Sequence, residues 1–541
     1  MGAAAKLCLP LLWAAMPLVA TGHPAHSQGA AEAAGAGMRG AHLDTGCAEA
    51  SQQRFDRGFY LLHNMDYTRA RATFEQAAAA DPACAMLSWG AAMTYFQPLW
   101  PGQPNDAALA RGAQAAAAAR TAARNEADRD YAAAVSAFYE GEGIDYDLRL
   151  KHWAMAQKHL AEQRPTDIEA QAFYQLARLA TRDRKDKTHA ESIAAGHDIE
   201  RLLQQRPDHP GLMHYLVHAY DNPGLARNGI AVSKQYMATA PDTAHALHMP
   251  SHIYTRLGDW PRMIDANQRS AAAALEHPAA DGRVSRDFLH ATDYLTYGQL
   301  QTGDDRAAAA TAARIDPATP YEQNFGAGAY ALAAVPARLA LERRDFARAA
   351  ALVPRAVPYD WERFPWAEAV THAARGLGAA RSGDAVTAKA ELAELDRLRS
   401  RIDAPWWAER VGIERDVIAA WLAWNDRDAE QAEALMRAAA ARETAAGKDS
   451  VEPGHVVVAT EEWGELLLEL ERPREARVAF ETSLRESPNR FNALYGAARA
   501  AESAGQREQA RAYYRQLLGI AGKSSTRPEL ESARRFLAER Q

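Results

Sequence analysis

The chain has 541 residues, which is too long for one conventional hydrophobic core, because single cores stop growing near about 250–300 residues. Hydrophobic residues make up 48% and charged residues 24%, as in an ordinary globular protein. The formal net charge of −7 provides no basic surface, which argues against nucleic-acid binding. Alanine runs are frequent and β-branched runs are scarce, so the composition predicts helix almost throughout.

Residues 1–27 have the features of a signal peptide. Lys6 precedes an apolar stretch over 7–20 that is too short to span a bilayer as a helix, and Ala25 and Ser27 suit a cleavage site. A buried N-terminal helix is the alternative. Residues 28–45 then read as a flexible leader, rich in Gly and Ala. We expect cleavage near Ser27 and a mature protein without a transmembrane segment, in the periplasm or outside the cell.

The chain from residue 46 onward repeats a pattern of small and aromatic residues. Counting from Ser51 as position 1 places Gly58 at position 8, Phe74 at position 24 and Pro82 at position 32, and the pattern recurs over 457–524. A period of 34 residues with these positions is typical of tetratricopeptide repeats. The sequence therefore predicts an all-α solenoid of this type, a right-handed superhelix of helix-turn-helix repeats, as one domain over 46–541.

Two cysteines of the predicted mature chain, Cys47 and Cys84, lie near the N-terminal ends of adjacent first helices in this frame. A disulfide between them is plausible, because an oxidising compartment permits one. Two buried free thiols are the alternative.

The stretch 210–303 carries histidines at regular positions of successive repeats. His214 and His218 fall at positions 5 and 9 of one first helix, and His248 and His252 fall at the same positions one repeat later. In this repeat type, positions 2, 5, 9, 12 and 13 of the first helix commonly face the concave groove. The same frames place five more polar residues in this groove, namely His245, His290, Asp221, Arg256 and Tyr297.

Two histidine pairs on neighbouring helices are able to share one ion, since packed helices lie about 8–10 Å apart and each side chain bridges part of that gap. We expect His214, His218, His248, His252 and Asp293 to bind a transition metal such as zinc, copper, nickel or iron. A metal with an open position could polarise a small-molecule substrate or activate water, so an enzymatic role stays open.

Two other interpretations account for the same histidines. The groove could hold a peptide, a protein partner or an anionic small molecule through polar imidazoles, as a non-catalytic interaction scaffold. The histidines could also pack as a buried structural network. Signatures of phosphate loops, HExxH metalloproteases and Gly-x-Ser-x-Gly hydrolases are missing from the sequence.

Segments around the histidines resemble a family of bacterial exported tetratricopeptide-repeat proteins. The most specific mark is HMPSHI at 248–253, and MHYLVHAYDNP at 213–223 and LHATDYLTYGQLQ at 289–301 agree with it. The resemblance covers most of the mature chain. It implies the repeat fold and export, and at the general level of the repeat it implies a role as an interaction scaffold.

Overall fold

The computed structural model describes Gly2 and residues 40–539, apart from 101–102, 184–185, 280 and 324. Apart from Gly2, the predicted signal peptide lies outside the described residues, as does most of the predicted leader. Residues 40–539 belong to one compact unit. Within the described ranges the regular structure is helical, and the β-structure recorded there is an isolated bridge between Val284 and Tyr321.

Twenty-six α-helices follow one another in the described chain, and short 3-10 turns at Ala226–Gly229 and Trp361–Arg363 separate some of them. In chain order they are α1 (Glu49–His63), α2 (Tyr67–Ala80), α3 (Ala85–Met93), α4 (Asp106–Ala122), α5 (Glu126–Tyr139), α6 (Tyr146–Gln163), α7 (Ile168–Thr181), α8 (Ala190–Gln205), α9 (Pro210–Tyr220), α10 (Ile230–Thr239), α11 (Ala244–His248), α12 (Pro250–Leu257), α13 (Trp260–Glu276), α14 (Arg286–Gln301), α15 (Asp305–Ala312), α16 (Gly326–Leu341), α17 (Phe346–Ala350), α18 (Pro365–Arg381), α19 (Ala385–Arg399), α20 (Pro405–Asn425), α21 (Ala429–Ala446), α22 (Ala459–Glu469), α23 (Pro473–Glu486), α24 (Phe491–Ser503), α25 (Arg507–Ile520) and α26 (Pro528–Ala538).

Gly-Asp pairs form the turns between the two helices of several repeats. Gly258 has a φ of +64°, a left-handed conformation that suits glycine at the end of a helix. The next residue, Asp259, accepts a hydrogen bond from the backbone amide of Arg262 and so caps the start of α13. Asp304 and Asp384 follow Gly303 and Gly383 in the same way and cap α15 and α19.

One aromatic side chain in each regular repeat packs against glycines on two first helices. A Cβ atom added at Gly58 or Gly90 would lie 2.7 or 2.4 Å from the ring of Phe74. Such distances are too short for any real Cβ atom, so only glycine allows the helices to approach the ring this closely. Near the other end of the chain Phe480 occupies the same place between Gly464 and Gly496, with distances of 2.7 and 2.4 Å. The N-terminal and C-terminal repeats therefore share one packing arrangement.

The inner side of the array is covered by segments from distant parts of the chain. The indole nitrogen of Trp260 donates to the carbonyl oxygen of Asn489 at 2.9 Å. The hydroxyl of Tyr294 donates to the carbonyl oxygen of Ser450 at 2.9 Å, and that of Tyr330 donates to the carboxylate of Glu452 at 2.9 Å. The expected open groove along the first helices is therefore filled in this region by the chain's own loop between α21 and α22.

The N-terminal repeat carries a disulfide between Cys47 and Cys84. Cys84 is the N-cap residue of α3, and Cys47 lies two residues before α1. Their Cα atoms are 5.7 Å apart. In the described residues, no helix is both long enough and apolar enough to cross a membrane.

Candidate metal centre

Two groups of three histidines lie inside the repeat array. In each group, one ring nitrogen from every histidine lies within 4.8 Å of the other two. The two groups are the central triad (His248, His252, His290) and the upstream triad (His214, His218, His245). The residues of the central triad are 2–4% exposed.

Both triads are built from the same repeat positions. Each combines positions 5 and 9 of one first helix with position 2 of the next first helix. The central triad takes His248 from α11, His252 from α12 and His290 from α14. Helices α11 and α12 form one first helix that is divided at Met249, where the backbone remains helical while the following Pro250 lacks an amide hydrogen. A histidine at position 2 thus joins the pair of the preceding repeat, and the four histidines expected in one site are divided between two triads.

Neighbouring side chains fix the tautomers of two histidines in the central triad. The amide nitrogen of Asn267 donates to the carbonyl oxygen of Met263 at 2.8 Å, which turns its amide oxygen toward His248. The Nδ1 atom of His248 lies 2.7 Å from that oxygen and therefore carries the proton. The Nδ1 atom of His252 lies 2.9 Å from the Asp221 carboxylate and donates to it.

Asp221 is a suitable acceptor because it stays ionised. Burial raises the pKa of this carboxyl, but the guanidinium of Arg256 and the ring of His252 outweigh that effect and hold the pKa well below 3.8. The Nε nitrogen of Arg256 donates to the second carboxylate oxygen at 2.9 Å. The side chains of Asp221 and His252 are 7% and 4% exposed, so this contact is largely screened from solvent.

The two fixed tautomers leave unprotonated nitrogens that face each other. The Nε2 atoms of His248 and His252 are 2.9 Å apart. In neutral rings both atoms carry a lone pair, so a proton or a cation is needed to make this approach favourable. Burial, together with the neighbouring His290 and His252, lowers the pKa of His248 well below 6.5, which disfavours a proton on the ring of His248. The Nδ1 atom of His290 is also buried and has no hydrogen-bond partner in the described protein.

The upstream triad also has nitrogens that lack partners. The Nε2 atoms of His214, His218 and His245 are all buried without a hydrogen-bond partner in the described protein. The Nδ1 atom of His214 donates to the carbonyl oxygen of His63 at 2.9 Å, so its Nε2 atom carries the lone pair. Burial lowers the pKa of His214 to about 3, and those of His218 and His245 fall well below 6.5 for the same reason.

A third buried group differs from the triads because its polar atoms are satisfied. The Nε2 atoms of His63 and His209 lie 3.0 and 3.1 Å from the carboxylate of Glu169. The Nδ1 atom of His209 accepts from the backbone amide of Leu212 at 3.2 Å, and that of His63 contacts the hydroxyl of Tyr215 at 2.9 Å. These hydrogen bonds account for both nitrogens of each ring, so the group needs no cation.

A fourth group is formed by Glu368, His372 and Glu394. One nitrogen or carboxylate oxygen from each of these residues lies within 4.8 Å of the other two. Arg355 binds both carboxylate oxygens of Glu368, at 2.6 and 2.8 Å. The Nδ1 atom of His372 lies 2.6 Å from the Glu391 carboxylate. Ion pairs therefore already engage these side chains.

Asp293, expected as a metal ligand, and Tyr297, expected as an auxiliary groove residue, lie in other contacts. Asp293 is fully buried and accepts from the Nε atom of Arg338 at 2.7 Å, and it belongs to neither triad. Burial raises the pKa of the Asp293 carboxyl, and the Arg338 guanidinium opposes that rise. The hydroxyl of Tyr297 accepts from Arg490 at 3.1 Å. Asp293 thus serves a contact between consecutive repeats, and Tyr297 serves one between distant repeats.

Three of the auxiliary groove residues belong to or contact the triads. His245 completes the upstream triad, His290 completes the central triad, and Asp221 contacts His252. Asn267 was not anticipated, because it lies on the second helix α13 and not on the first helices that line the groove. The feature that could have identified Asn267 is that a polar residue lies on the buried face of α13, beside Met263 and Ser270.

Comparison with known proteins supports the repeat type. The family model described as tetratricopeptide repeat matches residues 467–527. No curated protein matches the sequence significantly.

Three solved structures match this chain at identities and TM-scores too low to support conclusions about fold or function. A tetratricopeptide repeat protein from Parabacteroides merdae is 9% identical and covers 70% of this chain and 97% of its own, with a TM-score of 0.23. Yeast Tom70 is 10% identical, with coverages of 84% and 89% and a TM-score of 0.31. The APC/C hetero-tetramer Cut9-Hcn1 is 10% identical, with coverages of 90% and 90% and a TM-score of 0.32. The described chain is an all-α solenoid of the tetratricopeptide-repeat type, with a matched repeat segment at 467–527.

Proposed function

We propose that this protein is an exported repeat solenoid that binds a transition-metal ion at the central triad. The observation that carries the proposal is the 2.9 Å approach of the Nε2 atoms of His248 and His252, whose Nδ1 atoms both donate to other groups. A cation between the two lone pairs turns a repulsive contact into two metal–ligand bonds.

The surroundings favour zinc among the candidate ions. Zinc commonly takes three histidine nitrogens, and a carboxylate hydrogen-bonded behind one ligand raises the basicity of that ligand and fixes its orientation. Asp221 has this role behind His252. Imidazole also suits copper, nickel and iron, so these ions belong in the same test.

Burial of the triad supports a stabilising role for the ion. The three rings join α11, α12 and α14, which belong to two consecutive repeats, and the side chains are only 2–4% exposed. A metal that binds the folded chain adds its binding free energy to the stability of that interface. Chemistry on a small molecule would require the covering segments to open. The disulfide between Cys47 and Cys84 supports export, because such bonds persist in oxidising compartments.

Metal content of the full mature chain, without an affinity tag, tests the proposal. We expect the wild-type protein to retain zinc after dialysis, and His252→Gln and His290→Gln variants to lose one ion each, by mass spectrometric elemental analysis. Asp221→Asn should keep the ligands but weaken zinc binding about 10–100-fold in a chelator competition, because the carboxylate behind His252 is removed. His159→Gln, on the exposed face of α6, is the matched control and should bind as wild type.

Circular dichroism of each variant separates a lost ligand from a lost fold. The proposal fails if the folded wild-type chain binds none of zinc, copper, nickel or ferrous iron. It also fails if the folded His252→Gln and His290→Gln variants bind the same amount of metal as wild type.

A second candidate function is the binding of a protein or peptide partner, which the repeat segment at 467–527 favours. Selection from a peptide display library on the full chain tests it. Enrichment of one shared motif would support this function, and failure to enrich any motif would count against it.

A further inference from the structure

The upstream triad has nearly the same spacing of its three rings as the central triad. The ring centroids of the position-5 and position-9 histidines are 4.9 Å apart in both, between His214 and His218 and between His248 and His252. The position-2 histidine of the next repeat lies 5.0 Å from the position-5 ring in the upstream triad and 4.4 Å in the central triad. Its distances to the position-9 ring are 6.5 and 6.3 Å. One spacing of three imidazoles thus occurs twice, one repeat apart, although the position-5 and position-9 rings are inclined by 34° in the upstream triad and by 87° in the central triad.

The nitrogens of the upstream triad point to a ligand that the described protein does not supply. The Nε2 atoms of His214, His218 and His245 are buried and lack hydrogen-bond partners among the described residues. Native proteins rarely leave even one buried polar atom unsatisfied, and here three such atoms belong to histidines that each place one ring nitrogen within 4.8 Å of the others. The neighbouring group of His63, Glu169 and His209 shows how this chain satisfies buried histidines that need no ion.

The chemistry of the convergent atoms restricts the ligand class. His214 donates from Nδ1 to the carbonyl oxygen of His63, so its Nε2 atom acts only as an electron-pair donor in the neutral ring. Because the three Nε2 atoms are buried, the triad favours neutral imidazoles over imidazolium ions. Three neutral nitrogen donors in a small buried space suit a transition-metal cation, and both zinc(II) and copper(I) accept such a set.

We propose that His214, His218 and His245 form a second transition-metal site, so that the solenoid binds two ions at equivalent positions of consecutive repeats. This site does not require the central triad to be occupied. The group seen behind it is a neutral backbone carbonyl, that of His63, whereas the ionised Asp221 supports the central triad. Because a carboxylate raises the basicity of a ligand more than a carbonyl does, we expect the upstream site to bind its ion more weakly.

The stoichiometry of the full mature chain tests this proposal, with zinc(II) and, under reducing conditions, copper(I) as the two probes. We expect two ions per wild-type chain, one in His245→Gln, one in His290→Gln and none in the double variant. The weaker of two binding steps in a chelator competition should disappear in His245→Gln. His218→Gln provides a second test of the same site if His245→Gln does not fold, and His159→Gln should retain two ions. X-ray absorption of the ion left in His290→Gln should show a first shell of imidazole nitrogens.

Each outcome separates this proposal from the one for the central triad. A single wild-type ion that is lost only in His290→Gln would overturn the second site and leave the central one. A single ion that is lost only in His245→Gln or His218→Gln would support the upstream site and reject the central one. A single ion that is lost in every ligand variant would mean one shared site, which contradicts the second site proposed here.

Discussion

The amide of Asn267 decides which nitrogen of His248 faces His252. Its own nitrogen is held by the carbonyl oxygen of Met263, so its oxygen is left to accept from His248. A leucine, which has the same branching, at position 267 would remove this acceptor and leave the tautomer of His248 free. The orientation of one buried amide thus prepares an electron pair for the central triad.

Asp293 has a structural role that a substitution can measure. Asp293→Ala leaves the guanidinium of Arg338 buried without its partner, and we expect a loss of about 3–5 kcal/mol in the free energy of unfolding. Replacing both charges in an Asp293→Leu/Arg338→Met variant should recover most of this loss. Urea unfolding followed by circular dichroism gives the measurement. A large loss of bound metal in a folded Asp293→Ala protein would instead identify Asp293 as a ligand.

At the scale of the helices, the repeat pattern explains why the two triads have similar ring spacings. Positions 5 and 9 lie one turn apart on the same helix face, so His214 and His218, like His248 and His252, form neighbouring pairs with ring centroids 4.9 Å apart. Position 2 lies at the N-terminal end of the next first helix and reaches back toward that pair. The positions of these histidines were predictable from the period of 34 residues. The grouping into triads was not, because it depends on the distance and rotation between neighbouring first helices.

The disulfide ties the start of α1 to the start of α3 across a sequence separation of 37 residues. A cross-link of this kind restricts the unfolded chain, so Cys47→Ala/Cys84→Ala should lower the free energy of unfolding by about 2–4 kcal/mol. Urea unfolding in the presence and absence of dithiothreitol provides the measurement. The reductant should destabilise the wild type and leave the double variant unchanged. Equal stability of the wild type and the double variant in the absence of dithiothreitol would show that the disulfide contributes little.

At the scale of the whole molecule, contacts between distant repeats close the inner face over the histidines. The carboxylate of Asp305 pairs with Arg527 at 2.6 Å, and the amide oxygen of Gln301 accepts from the backbone of Phe491 at 2.9 Å. The loop between α21 and α22 is held by Tyr294 and Tyr330. Tyr294 also packs against the three rings of the central triad. The histidines of both triads are buried, and burial lowers the pKa values of five of them.

That burial predicts how the stability of the metal-free protein depends on pH. Five triad histidines have folded-state pKa values lowered below 6.5, mainly by burial. As the pH falls through about 6.5, the unfolded chain binds protons that the folded chain does not, so stability is lost on acidification and is unaffected well above pH 7. Each histidine contributes up to about 1.4 kcal/mol per pH unit.

Urea unfolding of the chelator-treated protein at pH 7.5, 6.0 and 5.0 measures this loss. The His245→Gln/His290→Gln variant should lose less stability over the same range, because two of the titrating rings are gone. Stability that stays constant from pH 7.5 to 5.0 would contradict the assignment of neutral buried histidines.

The sequence by itself determined the features that repeat locally. These features are the helices, the Gly-Asp turns, the glycines that contact Phe74 and Phe480, and the repeat positions of the histidines. They all follow from side chains separated by fixed short intervals, so the period reveals them. Only the tertiary structure decided that Asn267 contacts His248, that Asp293 pairs with Arg338, and that residues after α21 cover the inner face. Such contacts depend on how successive repeats rotate and close on one another. That geometry is the sum of many packing interactions, and no single segment of the sequence encodes it.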